Sequence, residues 1–428
     1  MDDAGHLAYV VGGSVRDFLL KRETKDHDIA TSATPDELCN LFPHAVTVGK
    51  AFGVLKIPIP ECHYPLEIAS FRQDLGYEDF RHPKGVILSS PLEDARRRDF
   101  TINGLFYDPK TSRILDAVGG MEDLKSKILR AIGNPFERLR EDALRLIRAV
   151  RFTTTLGFSL DPHTVEAVRA RAKLITKVST ERIRDELTLM WTGPNPGEAM
   201  QLLSDLGLTQ YVFPELETLR GVEQSPQYHP EGDVWKHTIK VMECLTRQNP
   251  VREPTLAWGA LLHDIGKPIA AKRSEGENFN GHEIDGSKIA ARICSRLKMS
   301  RHETDLILSF IEDHLKFKDV FQMRESTLKR FIRQEGFEQL LALHKADASA
   351  SDGNLAFHEF CMNSYQEYKK MPPTDQFKLI SGRDLIQLGL LPGPRFSEIL
   401  KTLEDLALER KLKTKEEALE YVVKHFVG

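Results

Sequence analysis

The chain has 428 residues, 41% hydrophobic and 29% charged, with a net charge of −4. That length exceeds one hydrophobic core and predicts two to four domains. No apolar run reaches membrane-spanning length, and Met1-Asp-Asp-Ala-Gly-His lacks a basic-then-apolar leader, so neither export nor a membrane partner is expected and the location reads as cytoplasmic. Five scattered cysteines without a Cys-x-x-Cys pair fit reduced thiols and exclude a cysteine zinc finger. Charge is uneven: Lys125 to Arg184 carries 14 Lys and Arg against 6 Asp and Glu. Such a stripe suits an RNA- or nucleotide-facing surface, and equally a solvated helix face.

Tyr9, Val10 and Val11 read as the end of a buried strand, and Gly12, Gly13 and Ser14 as a tight turn into a helix from Val15 to Leu20. A glycine turn at a helix start points free N–H groups at one spot, a phosphate seat. Asp26 and Asp28 flank His27 in the next strand and project from one face, as a Mg²⁺ site for nucleotide chemistry requires. Further strands are expected at 45–48, 54–59, 65–70 and 102–107, with a helix at 35–41, giving a small α/β domain over residues 1–118. Glu67 lies in a strand that could bring a third carboxylate to the metals, or simply face solvent. Residues 73–90 are polar and predict a mobile loop. In Arg96-Arg-Arg-Asp99 the guanidinium forks fit phosphate oxygens, and Asp99 could hold a ribose hydroxyl.

From Gly119 the pattern is helical, and residues 119–223 form a neck and body. One helix is expected over Phe136 to Phe152, with Leu139, Ala143, Ile147 and Val150 as its apolar stripe and Asp142, Arg145 and Arg148 along another face. That spacing also suits surface salt bridges. Chemically, a carboxylate beside a guanidinium complements the amino donor and ring-nitrogen acceptor shared by cytosine and adenine. Uracil and guanine present the reverse polarity. Ser179-Thr-Glu-Arg-Ile-Arg-Asp-Glu starts another helix with a capping pattern.

Val11-Gly-Gly-Ser-Val-Arg-Asp17, Asp26-His-Asp28, Arg97-Arg-Asp-Phe-Thr-Ile-Asn103, Glu141-Asp-Ala-Leu-Arg145 and Thr180-Glu-Arg-Ile-Arg184 together resemble the signature of the class II tRNA nucleotidyltransferases and bacterial poly(A) polymerases. The resemblance covers residues 8 to about 190. It implies an α+β protein, with a polymerase-β-like nucleotidyltransferase head followed by an all-α neck, body and tail, that adds C, C and A to tRNA 3′ ends from CTP and ATP without a template. Its motifs place two Mg²⁺ on Asp26 and Asp28. They place the triphosphate at Gly12, Gly13, Ser14 and Arg16, and the sugar and phosphates at Arg98, Asp99 and Asn103. Base reading falls to Asp142 and Arg145, with Arg148 and Arg151 completing the nucleotide set, and RNA contacts fall to Arg182 and Arg184. Asp74, Gly76, Arg81 and Pro83 look like the flexible loop such enzymes use when switching to A. Asn103-Gly-Leu, where Asn-Ala is more frequent, and His27 between the aspartates depart from the pattern without removing a ligand or donor.

From residue 224 histidines crowd a helical region, among them His229, His302, His344 and His358. Leu261-Leu-His-Asp-Ile-Gly-Lys-Pro268 reads as a helix end with a His-Asp pair and a glycine stop. Imidazoles and carboxylates from several helices suit Mn²⁺, Ni²⁺, Fe or Zn²⁺. The ordered series resembles the HD phosphohydrolase superfamily over residues 224–352, with ligands implied at His237, His263, Asp264 and Asp347, and at His282 and His314 for a second transition metal.

Residues 353–428 predict a helical tail, including a capped helix from Ser381 and an amphipathic one from about Phe396 to Leu408. CCA addition with tRNA, CTP and ATP as partners, and no DNA, is the leading expectation. A-only addition, poly(A) synthesis, an HD hydrolase with a nucleotide-binding head, and a non-catalytic RNA-binding protein are its rivals.

Overall fold

β-Branched runs separated by glycine and proline turns build the N-terminal sheet of this computed structural model, which describes residues 1–24, 27–48, 54–58, 65–77, 80, 83–227, 229–249, 252–276, 278–370 and 379–427. Asp26 and the loop residue Arg81 lie outside them. The chain divides into two units, residues 1–220 with 295–298, and 221–294 with 299–428.

The first unit opens with β1 (Ala8–Val11), α1 (Gly13–Leu19), β2 (Asp28–Thr31), α2 (Pro35–Leu41), β3 (Val46–Val48), β4 (Val54–Ile57), β5 (Leu66–Ser70), β6 (Arg72–Tyr77), β7 (Pro83–Leu88), α3 (Pro91–Arg96), β8 (Leu105–Asp108) and β9 (Arg113–Asp116). Seven strands form one sheet in the order β3-β4-β5-β2-β1-β8-β9. β2 runs antiparallel to β1 and parallel to β5, so Asp28 is registered against Val11 on one side and Glu67 on the other. Thr34 and Glu37 close a capping box at the start of α2, with Pro35 preset for its first turn. Val11, Ala30, Phe71, Ala95 and Phe106 pack in one buried cluster, and Ala33, Leu38, Leu55 and Ile68 in another.

Two expectations for this region are corrected. Residues 73–90 are no irregular loop, because β6 and β7 pair antiparallel from Arg72↔Leu88 to Tyr77↔Pro83. This two-stranded ribbon leaves Leu75, Ile87 and Leu88 exposed, so it shows no inward apolar alternation that sequence could reveal. The strand expected at 102–107 starts at Leu105, because Thr101–Asn103 form a 3₁₀ turn.

The helical body comprises α4 (Gly120–Ser126), α5 (Pro135–Glu141), α6 (Arg145–Leu156), α7 (Pro162–Arg171), α8 (Thr180–Trp191), α9 (Pro196–Asp205), α10 (Thr209–Val212) and α11 (Pro214–Glu217), with a short parallel pair of β10 (Ile128–Leu129) and β11 (Ser159–Leu160). Leu139, Ile147, Val150, Leu187 and Trp191 are fully buried here. The single helix expected over 136–152 is broken. Asp142 adopts extended angles (φ −134°, ψ 105°) between α5 and α6, and its Oδ1 accepts the Leu144 N–H at 3.1 Å. An aspartate side chain bonded to nearby backbone competes with helix in this way. Ser179 begins α8 but makes no side-chain cap bond.

The regular elements among the described residues of the second unit are helices: α12 (Val234–Gln248), α13 (Pro254–Leu262), α14 (Lys267–Arg273), α15 (His282–Arg296), α16 (Arg301–Asp313), α17 (Glu325–Ile332), α18 (Phe337–Ala350), α19 (Ala356–Lys369), α20 (Gly382–Gln387), α21 (Pro394–Leu408) and α22 (Lys415–Val422). Gly266 is not a left-handed helix stop, since its φ is −85°. A Cβ there would meet the His282 carbonyl oxygen at 2.0 Å and the Gly286 nitrogen at 2.5 Å. Glycine is needed for that approach, which draws Asp264 toward His282. Ile380, Leu385, Ile399, Leu403, Ala418 and Val422 form the core of the tail. No helix among the described residues is long and apolar enough to cross a membrane.

Candidate active site and metal centre

Gly12 has φ +73°, and a Cβ on it would lie 2.9 Å from Arg98 Nη1 and 3.8 Å from Asp28 Oδ2. The turn, Arg98 and Asp28 therefore meet at one point. The parallel register puts Glu67 beside Asp28 on the same sheet face. Glu67 is ion-paired with Lys56 at 2.6 Å. Beside Gly13, the buried Arg16 forks onto Asp17 (2.9 and 2.8 Å) and donates to Asn103 Oδ1 at 2.7 Å. Asn103 Nδ2 donates to Asp99 Oδ1 at 3.0 Å, and Arg148 Nε to Asp99 Oδ2 at 2.9 Å. Glu186 then joins Arg148 Nη1 (3.1 Å) to Arg151 Nε (2.5 Å), and the Phe152 ring lies beneath Arg16, Arg148 and Arg151. Burial would raise the Asp99 carboxyl, but the Arg148 charge and the Asn103 amide outweigh it and hold Asp99 well below the usual carboxylate range.

Asp142 and Arg145 are not paired with one another. Arg182 Nη1 and Nη2 donate to Asp142 Oδ1 and Oδ2 at 3.2 and 2.8 Å. Arg145 donates to Glu141 Oε2 (2.7 Å) and to the carbonyls of Arg138 (2.8 Å) and Arg97 (3.0 Å). Arg182, expected at an RNA surface, thus faces Asp142, while Arg184 pairs with Asp185 at 2.8 Å.

In the second unit the ends of α13, α16 and α18 and the starts of α12 and α15 bring six side chains together. His263 Nδ1 donates to the Ala260 carbonyl (2.8 Å), His282 Nδ1 to Phe279 (2.8 Å) and His314 Nδ1 to Ile311 (2.6 Å). A carbonyl only accepts, so each of these imidazoles, when neutral, carries a lone pair on Nε2. Those lone pairs converge on acceptors. His282 and His314 Nε2 are 3.2 Å apart, His263 Nε2 lies 3.2 Å from Asp264 Oδ2, and His282 Nε2 lies 3.2 Å from Asp264 Oδ1. His237 Nε2 lies 3.0 Å from Asp347 Oδ1 and 3.6 Å from Asp264 Oδ2. Acceptor facing acceptor in a buried site calls for a cation. His237, His263 and Asp347 form one group that could hold a metal ion, and Asp264, His282 and His314 a second, with Asp264 presenting one oxygen to each. Lys267 adds positive charge 2.7 Å from Asp264 Oδ2. Burial alone would lower His237, but hydrogen bonds to Asp347 and Glu231 raise it to about 9. Burial, then the neighbouring His263, pulls His314 down to about 3, which leaves its ring neutral.

The structure therefore gathers Gly12, Asp28 and Arg98, and separately His237, His263, Asp264, His282, His314 and Asp347. Three residues escaped the sequence reading. Buried Asp94 holds Arg97 and Arg98 (2.8 and 3.1 Å), Glu186 joins Arg148 to Arg151, and Glu231 accepts from His237 Nδ1 at 2.6 Å. Glu186 lies four residues after Arg182, one helical turn on, a spacing that could have marked it.

Residues 8–130 match the family model of the poly A polymerase head domain, 157–219 a model described as a probable RNA and SrmB-binding site of polymerase A, and 234–335 the HD domain. The chain is 42% identical over 403 residues to the CCA-adding enzyme of a Geobacillus species, covering 94% of this chain and 88% of that protein. It is 31% identical over 424 residues to the CCA-adding enzyme of Lactobacillus helveticus (98% and 93% covered). It is also 30% identical over 436 residues to the A-adding tRNA nucleotidyltransferase of Deinococcus radiodurans (97% and 94%). The crystal structure of the Bacillus stearothermophilus CCA-adding enzyme in complex with CTP superposes with a TM-score of 0.76 at 25% identity, covering 99% of this chain and 94% of that one. A likeness of such length, together with the Gly12–Asp28–Arg98 geometry, makes the chain a member of the CCA-adding family of tRNA nucleotidyltransferases, with an HD domain in its second unit.

Proposed function

We propose that this chain adds C, C and A to tRNA 3′ ends from CTP and ATP, in the cytoplasm. The observation that carries the reading is the meeting of the Gly12 turn, Asp28 and Arg98 at one point of the sheet, on a chain matched along nearly its whole length by CCA-adding enzymes. Residues 1–118 serve as the catalytic head, 119–223 as neck and body, 224–352 as the HD domain and 353–428 as a tail. Asp28, with Asp26 and with Glu67 registered beside it, supplies the carboxylates for Mg²⁺. Mg²⁺ bound there would activate the RNA 3′-hydroxyl and neutralise the departing pyrophosphate. Gly12, Gly13, Ser14, Arg16 and Arg98 seat the triphosphate. Asp99 and Asn103 accept and donate at the sugar, and Asp142 with Arg145 selects the base. Arg148 and Arg151 brace this set through Glu186, and Arg184 faces RNA.

The convergent imidazoles favour a second activity, a metal-dependent phosphohydrolase in the HD domain, using a divalent transition metal at His237, His263, Asp264 and Asp347 and another at Asp264, His282 and His314. The test of the main reading supplies three tRNA transcripts, one lacking CCA, one ending in CC and one complete, with CTP, ATP or both. Addition of C, C and A that then stops is the expected result. Addition of A alone to the CC transcript would make this an A-adding enzyme, and long A tracts on any RNA a poly(A) polymerase.

A further inference from the structure

The Asp142 carboxylate is more fully engaged than a base reader on an open helix face would be. A carboxylate has about four acceptor positions. Leu144 N–H and Arg182 Nη1 take both on Oδ1, and Arg182 Nη2 takes one on Oδ2. Among the described residues one acceptor remains, on Oδ2. Two parallel N–H bonds from a planar guanidinium also fix the plane of the carboxylate. The backbone beside it is tied as well, since the Ala143 N–H donates to the Phe80 carbonyl at 3.1 Å.

We propose that Arg182 is a specificity-determining positioning residue, which holds Asp142 in a single orientation with one acceptor left for the exocyclic amino group of cytosine or adenine. The proposal rests on the reading of Asp142 as the base-selecting carboxylate. Held this way, Asp142 meets the amino group of C or A with a lone pair and the carbonyl of U or G with a repulsive one. Released, the carboxylate can turn and accept the ring N–H that uracil and guanine carry beside that carbonyl. Arg182 thus acts through Asp142 and need not touch the nucleotide.

The test measures kcat/KM for CTP and for UTP on the tRNA transcript lacking CCA, using the full chain and its Arg182→Gln and Arg182→Lys variants, with melting temperatures alongside. Arg182→Gln should narrow the CTP-to-UTP ratio about tenfold or more. Arg182→Lys, which keeps the charge but not the fork, should fall between it and the parent. A proportional loss for both nucleotides, with the ratio unchanged, would make Arg182 merely structural and overturn the proposal. If Arg182→Gln does not fold, the ratio for Arg182→Lys decides. Asp142→Asn separates the two layers: if it leaves base preference intact, the assignment of Asp142 fails and the role of Arg182 fails with it. If Asp142→Asn changes preference and neither Arg182 variant does, only the role of Arg182 is refuted.

Discussion

Glu231 Oε1 lies 2.6 Å from His237 Nδ1, while the Nε2 of the same ring lies 3.0 Å from Asp347 Oδ1. A buried carboxylate on Nδ1 keeps a proton there and aims Nε2 at the metal position, as outer-shell partners of metal-bound histidines do. Glu231→Ala should weaken divalent-metal binding by about 10- to 100-fold. Competition against a chelator of known affinity reads this directly, with nucleotide incorporation by the same preparation unchanged. Affinity equal to the parent would show that Glu231 has no hold on the site.

Gly12→Ala places a methyl group 2.9 Å from Arg98 Nη1 at a residue with φ +73°. The left-handed backbone costs about 1 kcal/mol or more, and Arg98 must retreat. The KM for CTP should rise about tenfold or more with little change in melting temperature. Steady-state kinetics check this, and unaltered KM would separate the turn from the triphosphate.

Asp99 is braced by Arg148 and Asn103 in a poorly exposed pocket. Its carboxyl is held below the usual range, so its stabilising contribution is present at neutral pH and is lost on acidification, beginning near the ordinary aspartate value of about 4. Asp99→Asn should cost about 3 kcal/mol at pH 7, as breaking a buried pair does, and should flatten the acid limb of the first unit's stability curve. Melting curves of parent and variant from pH 7 to 3 should converge toward the acid end. Parallel curves would refute the assignment.

The two chemistries should separate by mutation. Asp28→Asn is expected to abolish nucleotide incorporation while sparing any metal-dependent phosphatase activity, and His263→Ala to do the reverse. Incorporation by Asp28→Asn at the parental rate would remove that carboxylate from catalysis.

Local chemistry made much of this legible. The Val11–Asp17 turn, the helix over Pro35–Leu41 and the His263-Asp264 pair depend on neighbours within a few residues, and the structure forms each of them. The break at Asp142 was hidden because apolar periodicity continues across it through Ala143 and Ile147, and one Asx turn overrides the pattern. The β6–β7 ribbon was hidden because its strands bury no common face. Glu186 was missed because packing brings Arg148 to it from 38 residues away, and Glu231 because it reaches His237 from just before α12 begins, where no helical spacing marks it.

His263, His282 and His314 each anchor to a carbonyl three residues earlier in their own chain segment. The aim of these rings is therefore a local property of the backbone, complete before any ion arrives, unlike a zinc finger whose metal is its folding energy. Stripping the protein with a chelator should leave its far-ultraviolet dichroism nearly unchanged while lowering the melting midpoint only by the mass action of the lost ion, and restoring a divalent ion should refill the cage without a refolding lag. A collapse of helicity on chelation would mean that the ion, and not the helix ends, holds the imidazoles in place. A scaffold of this kind behaves as a socket, so the metal found in purified protein should follow the ions supplied in the growth medium.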